Sequence, residues 1–372
     1  MNSKKEKLQY YNIAPLLKCG CIYNMIIGER SNGKSYQVNK TNIYGCDEAD
    51  IKGYIQGGGQ FAYVRRHKED IAPRYASSIL EPFVLSGDIE KWTKGKYNNY
   101  IYKSYMWYLI HRDETGEIDA VDDTPCGYAF ALTLEQSYKS NSYINVTKIF
   151  LEEFLSRDFY LSNEFILFMS IVSTIVRQRD NVLIFMCGNT VNQYCPYFDE
   201  MGINPRNQKK GTIDIYTYGD SGLTLACEYS DFPSKKKPSD KYFAFGNERL
   251  NMITQGSWEI ALYPHCPIKI KPKDILYKFY IVYHENTLQC EVIYAEDNNF
   301  IFIHRKTTPI KIDYDTLVYT LVTNSNIHYR NNLTKAYTPL EQNILLLFKQ
   351  GKVFYDTNTT GEIVRNFLAD SK

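Results

Sequence analysis

The sequence predicts an α/β protein, a parallel sheet covered by helices and carrying a phosphate-binding loop, followed by a smaller α+β domain. Three observations carry this. First, Gly28-Glu29-Arg30-Ser31-Asn32-Gly33-Lys34-Ser35 is a complete G-x-x-x-x-G-K-S loop behind the apolar hexapeptide Ile22-Tyr23-Asn24-Met25-Ile26-Ile27. Second, short apolar runs at 61–64, 146–151 and 182–186 alternate with helical patterns, the rhythm of a sheet buried on both faces. Third, beyond Tyr277 three runs alternate apolar and polar residues, as strands of a meander do.

In chain order, the hexapeptide is a buried strand and Lys34 to Ile43 opens a helix. The glycines let the loop backbone turn its N–H groups inward, Lys34 neutralises phosphate oxygens, and the Ser35 hydroxyl suits Mg²⁺. Gly57-Gly58-Gly59 is a turn, and Phe61-Ala62-Tyr63-Val64 a strand ending in Arg65-Arg66. The runs 105–110 and 128–132 flank Asp113-Glu114-Thr115-Gly116, turn chemistry that predicts an inserted hairpin. Val146 to Leu151 ends in Glu152-Glu153. Phe165, Ile166, Met169, Val172, Ile175 and Val176 recur at helical spacing and predict a core-facing helix over 164–176. Arg177-Gln178-Arg179-Asp180 follows, and the strand 182–186 runs into Cys187-Gly188-Asn189. The proline-bounded basic stretches Pro205 to Lys210 and Pro233 to Pro238 mark a connecting region. The expected division is therefore a nucleotide-binding domain over 1–205, a linker or lid over 206–266, and a C-terminal domain over 267–372 with strands at 279–283, 290–294 and 300–303 and helices near 340–350 and 360–369.

Composition narrows the function. A formal charge of +1, from 43 basic and 42 acidic residues, excludes a cationic coat, so nucleic acid must be met through local patches. The nine cysteines form no C-x-x-C pair and no zinc-type spacing with the six histidines, and are read as reduced structural thiols. Met1-Asn2-Ser3-Lys4-Lys5-Glu6-Lys7 lacks the apolar core of a signal peptide and no run approaches a membrane span, so a soluble cytoplasmic protein without a membrane partner is expected. The 33 tyrosines are scattered and read as packing residues.

A phosphate loop alone serves kinases, GTPases and ATPases. Glu152-Glu153 discriminates, because ligands of parallel sheets sit at the carboxyl ends of the strands. The first carboxylate suits the metal shell and the second polarises a water that attacks the γ-phosphate, which is hydrolysis. No guanine-reading Asn/Thr-Lys-x-Asp motif follows, which favours ATP. Asn189, at the end of its strand, is placed to bond phosphate or water. Arg177 and Arg179 follow a helix, where an arginine is either a surface ion-pair partner or a finger that reaches a neighbouring subunit.

The ordered set Gly28 to Tyr36, Tyr63-Val64-Arg65-Arg66, Lys139-Ser140-Asn141, Glu152-Glu153-Phe154, Arg177-x-Arg179 and Asn189 with Pro196-Tyr197-Phe198 resembles the genome-packaging (encapsidation) ATPases of small, protein-primed Bacillus-type podophages. The resemblance implies a RecA-like ASCE domain and a homomeric ring, pentameric in the type case, docked on the portal of an empty prohead in the host cytoplasm. It implies ATP and Mg²⁺ as cofactors, double-stranded DNA as the object moved, and a structural packaging RNA as in the type case. By position it assigns Glu152 to the metal shell, Glu153 to catalysis, Arg177 to the trans finger and Lys139 to a second trans-acting cation. The type pattern has Asp-Glu where this chain has Glu152-Glu153. The C-terminal domain resembles a ribonuclease-H-like nuclease that has lost its active site, and residues 279–283 carry no acid. Lys94-Gly95-Lys96 and Lys235-Lys236-Lys237 are candidate DNA-gripping loops. Two other readings compete: a DNA-end-processing helicase or nuclease-ATPase, and a small-molecule kinase.

Overall fold

Tyr23–Gly28 (β1) is buried along its whole length, as a strand with neighbours on both edges and helices on both faces must be. The computed structural model describes residues 10–44, 59–157, 160–231, 258, 261–331 and 333–371. The chain divides into two compact units, Met1–Glu259 and Ile260–Lys372.

In the first unit the strands after β1 are Gln60–Arg65 (β2), Asn99–Lys103 (β3), Met106–Arg112 (β4), Ile118–Val121 (β5), Gly127–Ala131 (β6), Val146–Glu152 (β7), Leu183–Asn189 (β8), Thr212–Thr217 (β9) and Thr224–Tyr229 (β10). They form one sheet in the order β3-β4-β6-β2-β7-β8-β1-β10-β9, with β5 added to β4. The central run from β6 to β10 is parallel. β8 lies between β1 and β7, so the phosphate loop and Glu152-Glu153 emerge at the same carboxyl edge, two strands apart. At about 4.8 Å per strand that is a separation of about 10 Å.

Helices cover both faces. Glu164–Val176 lays Phe168, Ile171 and Ile175 against Met25, Ile27, Ile149 and Leu151. Lys34–Tyr44 lays Val38 and Ile43 on the other face, among Ile26, Phe61, Tyr63, Phe150 and Phe185. Ile166 departs from the predicted core face: it is 57% exposed, because the stripe through Phe168, Ile171 and Ile175 already fills the contact.

Two expectations change. The turn around Asp113 to Gly116 joins β4 to β5, while 127–131 (β6) meets β4 antiparallel only at Met106–Tyr128 and Trp107–Gly127 and runs parallel beside β2. The region read as a connector, 206–266, contains β9 and β10, and β10 pairs in parallel with β1, so the sheet runs well past residue 205. The flanking basic, proline-bounded stretches mask it, and so does Glu228 near the end of β10, an unlikely residue for an inner strand unless paired. Its carboxylate accepts from the Tyr11 hydroxyl at 2.6 Å, which resolves the conflict. Residues 232–257 of that region, including Lys235-Lys236-Lys237, lie outside the described residues, as do Gly57 and Gly58.

The second unit is a six-stranded sheet. Ile275–Tyr283 (β11), Asn286–Ala295 (β12) and Asn298–Arg305 (β13) form the expected antiparallel meander. Glu296 and Asp297, both at positive φ, make the two-residue turn whose twist matches its strands. Val318–Thr320 (β14) joins β11 in parallel, Tyr329–Arg330 (β15) joins β14, and Val353–Tyr355 (β16) joins β13. Helix Pro339–Lys349 begins with a capping box between Thr338 and Glu341, and helix Asn358–Asp370 is capped by Thr357.

Candidate active site

The phosphate loop is built from inside the sheet outward. Gly28 ends β1 opposite Asn189 on β8. A Cβ there would lie 2.2 Å from Ser230 Oγ, just past β10, so only glycine lets the loop leave between these two strands. Ser230 N donates to Ile27 O at 2.8 Å, and Asn32 Nδ2 donates to Ser230 Oγ at 3.1 Å. Asn32 is fully buried and organises the loop, since its Oδ1 also accepts from Lys34 N at 3.2 Å and Lys34 Nζ at 3.3 Å. Lys34 Nζ further donates to Glu29 O at 2.5 Å and Asn189 Oδ1 at 3.3 Å. Glu29 is buried, while Arg30 and Ser31 face solvent. Helix Lys34–Tyr44 points its N-terminus, with its partial positive charge, into this loop, where Ser35 sits in the first turn.

Across the carboxyl edge, β7 delivers Glu152 and Glu153. Glu152 Oε2 accepts from the Tyr63 hydroxyl and from Arg65 Nη1 at 3.2 Å. Glu153 has a left-handed backbone (φ 56°), is exposed, and accepts from Arg65 Nη2 at 2.5 Å. One guanidinium therefore spans both carboxylates. Burial alone would lower the Arg65 pKa, but Tyr63, Glu153 and Glu152 together more than offset it, and the cation is held charged. Burial and the Glu152 charge push the Tyr63 hydroxyl well above its ordinary value, so it donates as a neutral phenol.

Arg66 turns the other way. Its Nε and Nη2 grip Glu164 at 2.8 and 2.9 Å, and its Nη2 also donates to Phe154 O at 3.0 Å. Glu164, buried at the start of its helix, accepts from Tyr197 as well. The chain just after Glu153 is thus fixed to a helix on one side and, through Phe154 N to Cys187 O, to β8 on the other. Arg65 and Arg66 received no role from the sequence. The available signal was their place at the carboxyl end of a strand beside the acidic one.

Arg177 is elsewhere. It lies exposed at the C-terminus of helix Glu164–Val176, before β8 begins, and so at the amino edge of the parallel strands. Its Nη2 donates to Asn141 O at 2.6 Å. The length of β7, about 20 Å at about 3.3 Å per residue, separates that edge from Glu152. Arg179 is tied down by carbonyls: Ile144 at 2.9 Å, Tyr143 at 3.2 Å and Ile175 at 2.7 Å. Lys139 follows the short helix Leu132–Tyr138 and pairs with the buried Glu135 at 3.0 Å, which Ser170 also contacts. The structure therefore joins residues 28–35, Asn189, Glu152 and Glu153 at one edge and leaves Arg177 and Lys139 apart from them.

Of the DNA-gripping candidates, Lys94-Gly95-Lys96 is an exposed tight loop whose Thr93 hydroxyl bonds Tyr97 N and O. No helix among the described residues is long and apolar enough to cross a membrane, and the eight described cysteines are free thiols.

Known proteins resemble the chain in both sequence and fold. The chain is 27% identical over 296 residues to the DNA packaging protein of Bacillus phage PZA, spanning 76% of this chain and 75% of that protein. It is 28% identical over 237 residues to the DNA packaging protein of Bacillus phage phi29, spanning 62% and 60% of the two. Its fold superposes on the bacteriophage Phi-29 viral genome packaging motor assembly with a TM-score of 0.53 at 22% identity, covering 98% of this chain and 99% of that one. The Phi-28 gp11 DNA packaging motor gives 0.50 at 16% identity, with 98% of each chain covered. The sequence model of the Podovirus DNA encapsidation protein (Gp16) family matches residues 114–370, a span that holds Lys139, Glu152, Glu153, Arg177 and Asn189 and starts after the phosphate loop. With Glu152, Glu153, Arg177, Arg179 and the C-terminal sheet all inside that match, the chain belongs to the Podovirus DNA encapsidation protein family.

Proposed function

We propose that the protein is an ATP-driven motor subunit that moves double-stranded viral DNA into an empty prohead, hydrolysing ATP at the subunit interfaces of a homomeric ring. The observation that carries this is the division of charge between two edges. Lys34, Asn189, Glu152 and Glu153 gather at the carboxyl edge, while the exposed Arg177 stands at the amino edge of the same sheet. Neither half is a complete hydrolytic site, and a ring of copies that meet edge to edge completes one from two.

Within the site, Gly28 to Ser35 hold the phosphates. The donor set suits Mg²⁺: a serine hydroxyl at the helix start and Glu152, whose observed bonds converge on Oε2, so that Ser35 and the second oxygen of Glu152 would hold the ion. Mg²⁺ would supply charge neutralisation on the transferred phosphoryl group. Arg65 orients Glu153, which takes a proton from the attacking water. Arg177 of the adjacent copy stabilises the charge that develops in the transition state. Lys139, as a second trans-acting cation, first has to part from Glu135.

We extend the proposal to docking on the portal of the prohead, a pentameric ring, a structural RNA and work in the host cytoplasm, a reading that family membership supports. The strand order β13-β12-β11-β14-β15 supports a ribonuclease-H-like reading of the second unit. Among the described residues its acids form no cluster of the kind two-metal cleavage requires: Glu285, Glu296 and Asp297 lie in hairpin turns, and Asp313 and Asp315 lie in the segment before β14. We read this unit as inactive toward DNA.

The test is ATP hydrolysis with and without double-stranded DNA on wild type, Glu153→Gln, Arg177→Ala and mixtures of the two variants. Each variant alone is expected to be inactive, and mixing restores part of the turnover because some interfaces pair an intact Glu153 with an intact Arg177. Normal hydrolysis by Arg177→Ala alone would overturn the shared site. Metal-dependent nicking of plasmid by the full chain would revive the nuclease-ATPase reading.

A further inference from the structure

Tyr10 and Tyr11, ahead of β1, touch the phosphate loop. Tyr11 N donates to Asn32 O at 2.9 Å, and its hydroxyl reaches Glu228 Oε2 on β10 at 2.6 Å. Tyr11 is 3% exposed. This double tether fixes its neighbour Tyr10 against the loop: a Cβ built on Gly33 would lie 3.3 Å from Tyr10 Cβ and 3.5 Å from Tyr10 Cδ1. Tyr10 nonetheless stays 57% exposed, so the ring leans on the loop at one edge and offers its surface to solvent.

Direction decides what that surface can meet. Glu152 and Glu153 lie on the β8–β7 side of β1, so the terminal phosphate must point that way. The rest of the nucleotide then extends toward the opposite neighbour of β1, which is β10, the strand that anchors Tyr11. A planar base leaving the loop on that side arrives beside an exposed aromatic ring held by a rigid tether, and aromatic side chains bind bases of any sequence through their faces.

We propose that Tyr10 is a base-binding residue, the platform on which the base of the bound nucleotide stacks, with the Tyr11–Glu228 bond as its anchor. This rests on the reading of Gly28 to Ser35 as a nucleotide site. Gly33 leaves room for this contact, since a Cβ at 33 would press Tyr10 back by a few tenths of an ångström.

The test is calorimetric titration of the full chain with ADP and with inorganic tripolyphosphate, a probe that has no base. Tyr10→Ala is expected to weaken ADP about 5- to 100-fold, the range that the loss of one base–aromatic stack gives. Tripolyphosphate affinity stays unchanged, and Tyr10→Phe keeps ADP affinity near wild type because it keeps the ring. Unchanged ADP affinity in Tyr10→Ala overturns the proposal, as does an equal loss for both probes or a loss in Tyr10→Phe that matches the alanine variant. If Lys34→Ala leaves both probes unaffected, the phosphate-loop reading itself fails, and the Tyr10 proposal falls with it.

Discussion

Arg65 places one guanidinium nitrogen 2.5 Å from Glu153 Oε2 and the other 3.2 Å from Glu152 Oε2. Two carboxylates at consecutive positions repel, and a single cation between them offsets that repulsion at the carboxyl edge of the sheet. The fork geometry matters as much as the charge, because a lysine offers one point where arginine offers two.

Removing that fork is expected to slow catalysis without loosening the nucleotide. For Arg65→Ala we expect kcat to fall about 10- to 100-fold, the cost of a misaligned catalytic group, with ADP affinity within about twofold of wild type. Arg65→Lys is expected to recover only part of the loss. Steady-state hydrolysis alongside calorimetry separates the two effects, and a rise in turnover in Arg65→Ala would show that Arg65 restrains Glu153 instead of orienting it.

The two arginines after helix Glu164–Val176 are expected to part in opposite ways. Arg179 serves three carbonyls, including Ile175 O at the end of the helix, so Arg179→Ala leaves these acceptors short of a donor and lowers stability by about 1–3 kcal/mol. Arg177 is exposed and bonds one carbonyl, so Arg177→Ala should unfold within about 0.5 kcal/mol of wild type while losing turnover. Urea unfolding and ATPase assays on both variants decide it. A destabilised Arg177→Ala would make that residue a helix cap.

How far the sequence carried the reading can be traced through these residues. The phosphate loop and Glu152-Glu153 were legible because a short local pattern encodes each. Parallel-strand logic then placed both at one edge. Arg65 was hidden, since its role depends on β2 lying beside β7, a pairing that no local spacing states. β10 was hidden for a related reason: Glu228 breaks its apolar run, and only the distant Tyr11 makes the break tolerable. Long-range pairing, not local propensity, carried what was missed.

Lys148 gives a pH-dependent expectation. It is 1% exposed in β7, and its amine donates to Asn42 O in the last turn of the phosphate-loop helix at 3.1 Å. Burial pulls its pKa down from 10.5 to about 8. Below that value folded and unfolded chains both carry the charge, and the burial penalty is fully present. Between there and 10.5 the unfolded chain holds a proton that the folded chain has released, so this group makes stability rise with pH. From about pH 7.5 to 9.5 the rise is on the order of 2 kcal/mol. Subtracting the profile of Lys148→Met isolates it from the tyrosines, which titrate in both proteins. Parallel urea-unfolding profiles for the two proteins would refute the assignment.

The contact between Gly28 and Ser230 predicts a compensating pair. In Gly28→Ala the new methyl would sit 2.2 Å from Ser230 Oγ and 3.1 Å from Ser230 O, so Ser230 must move. Its movement strains the 2.8 Å bond from Ser230 N to Ile27 O and removes the partner of Asn32 Nδ2. Gly28→Ala is therefore expected to lose both stability and nucleotide affinity. Ser230→Gly clears the hydroxyl and Cβ from the path of the methyl but leaves Asn32 without that acceptor. The double variant should regain stability beyond the sum of the single changes by more than about 0.5 kcal/mol, yet keep weakened ADP binding, because the loop still lacks its tie to β10. Unfolding and ADP titration on the four proteins of this cycle measure both terms. Additive stabilities would mean that the loop yields elsewhere and that Ser230 does not set its exit from β1.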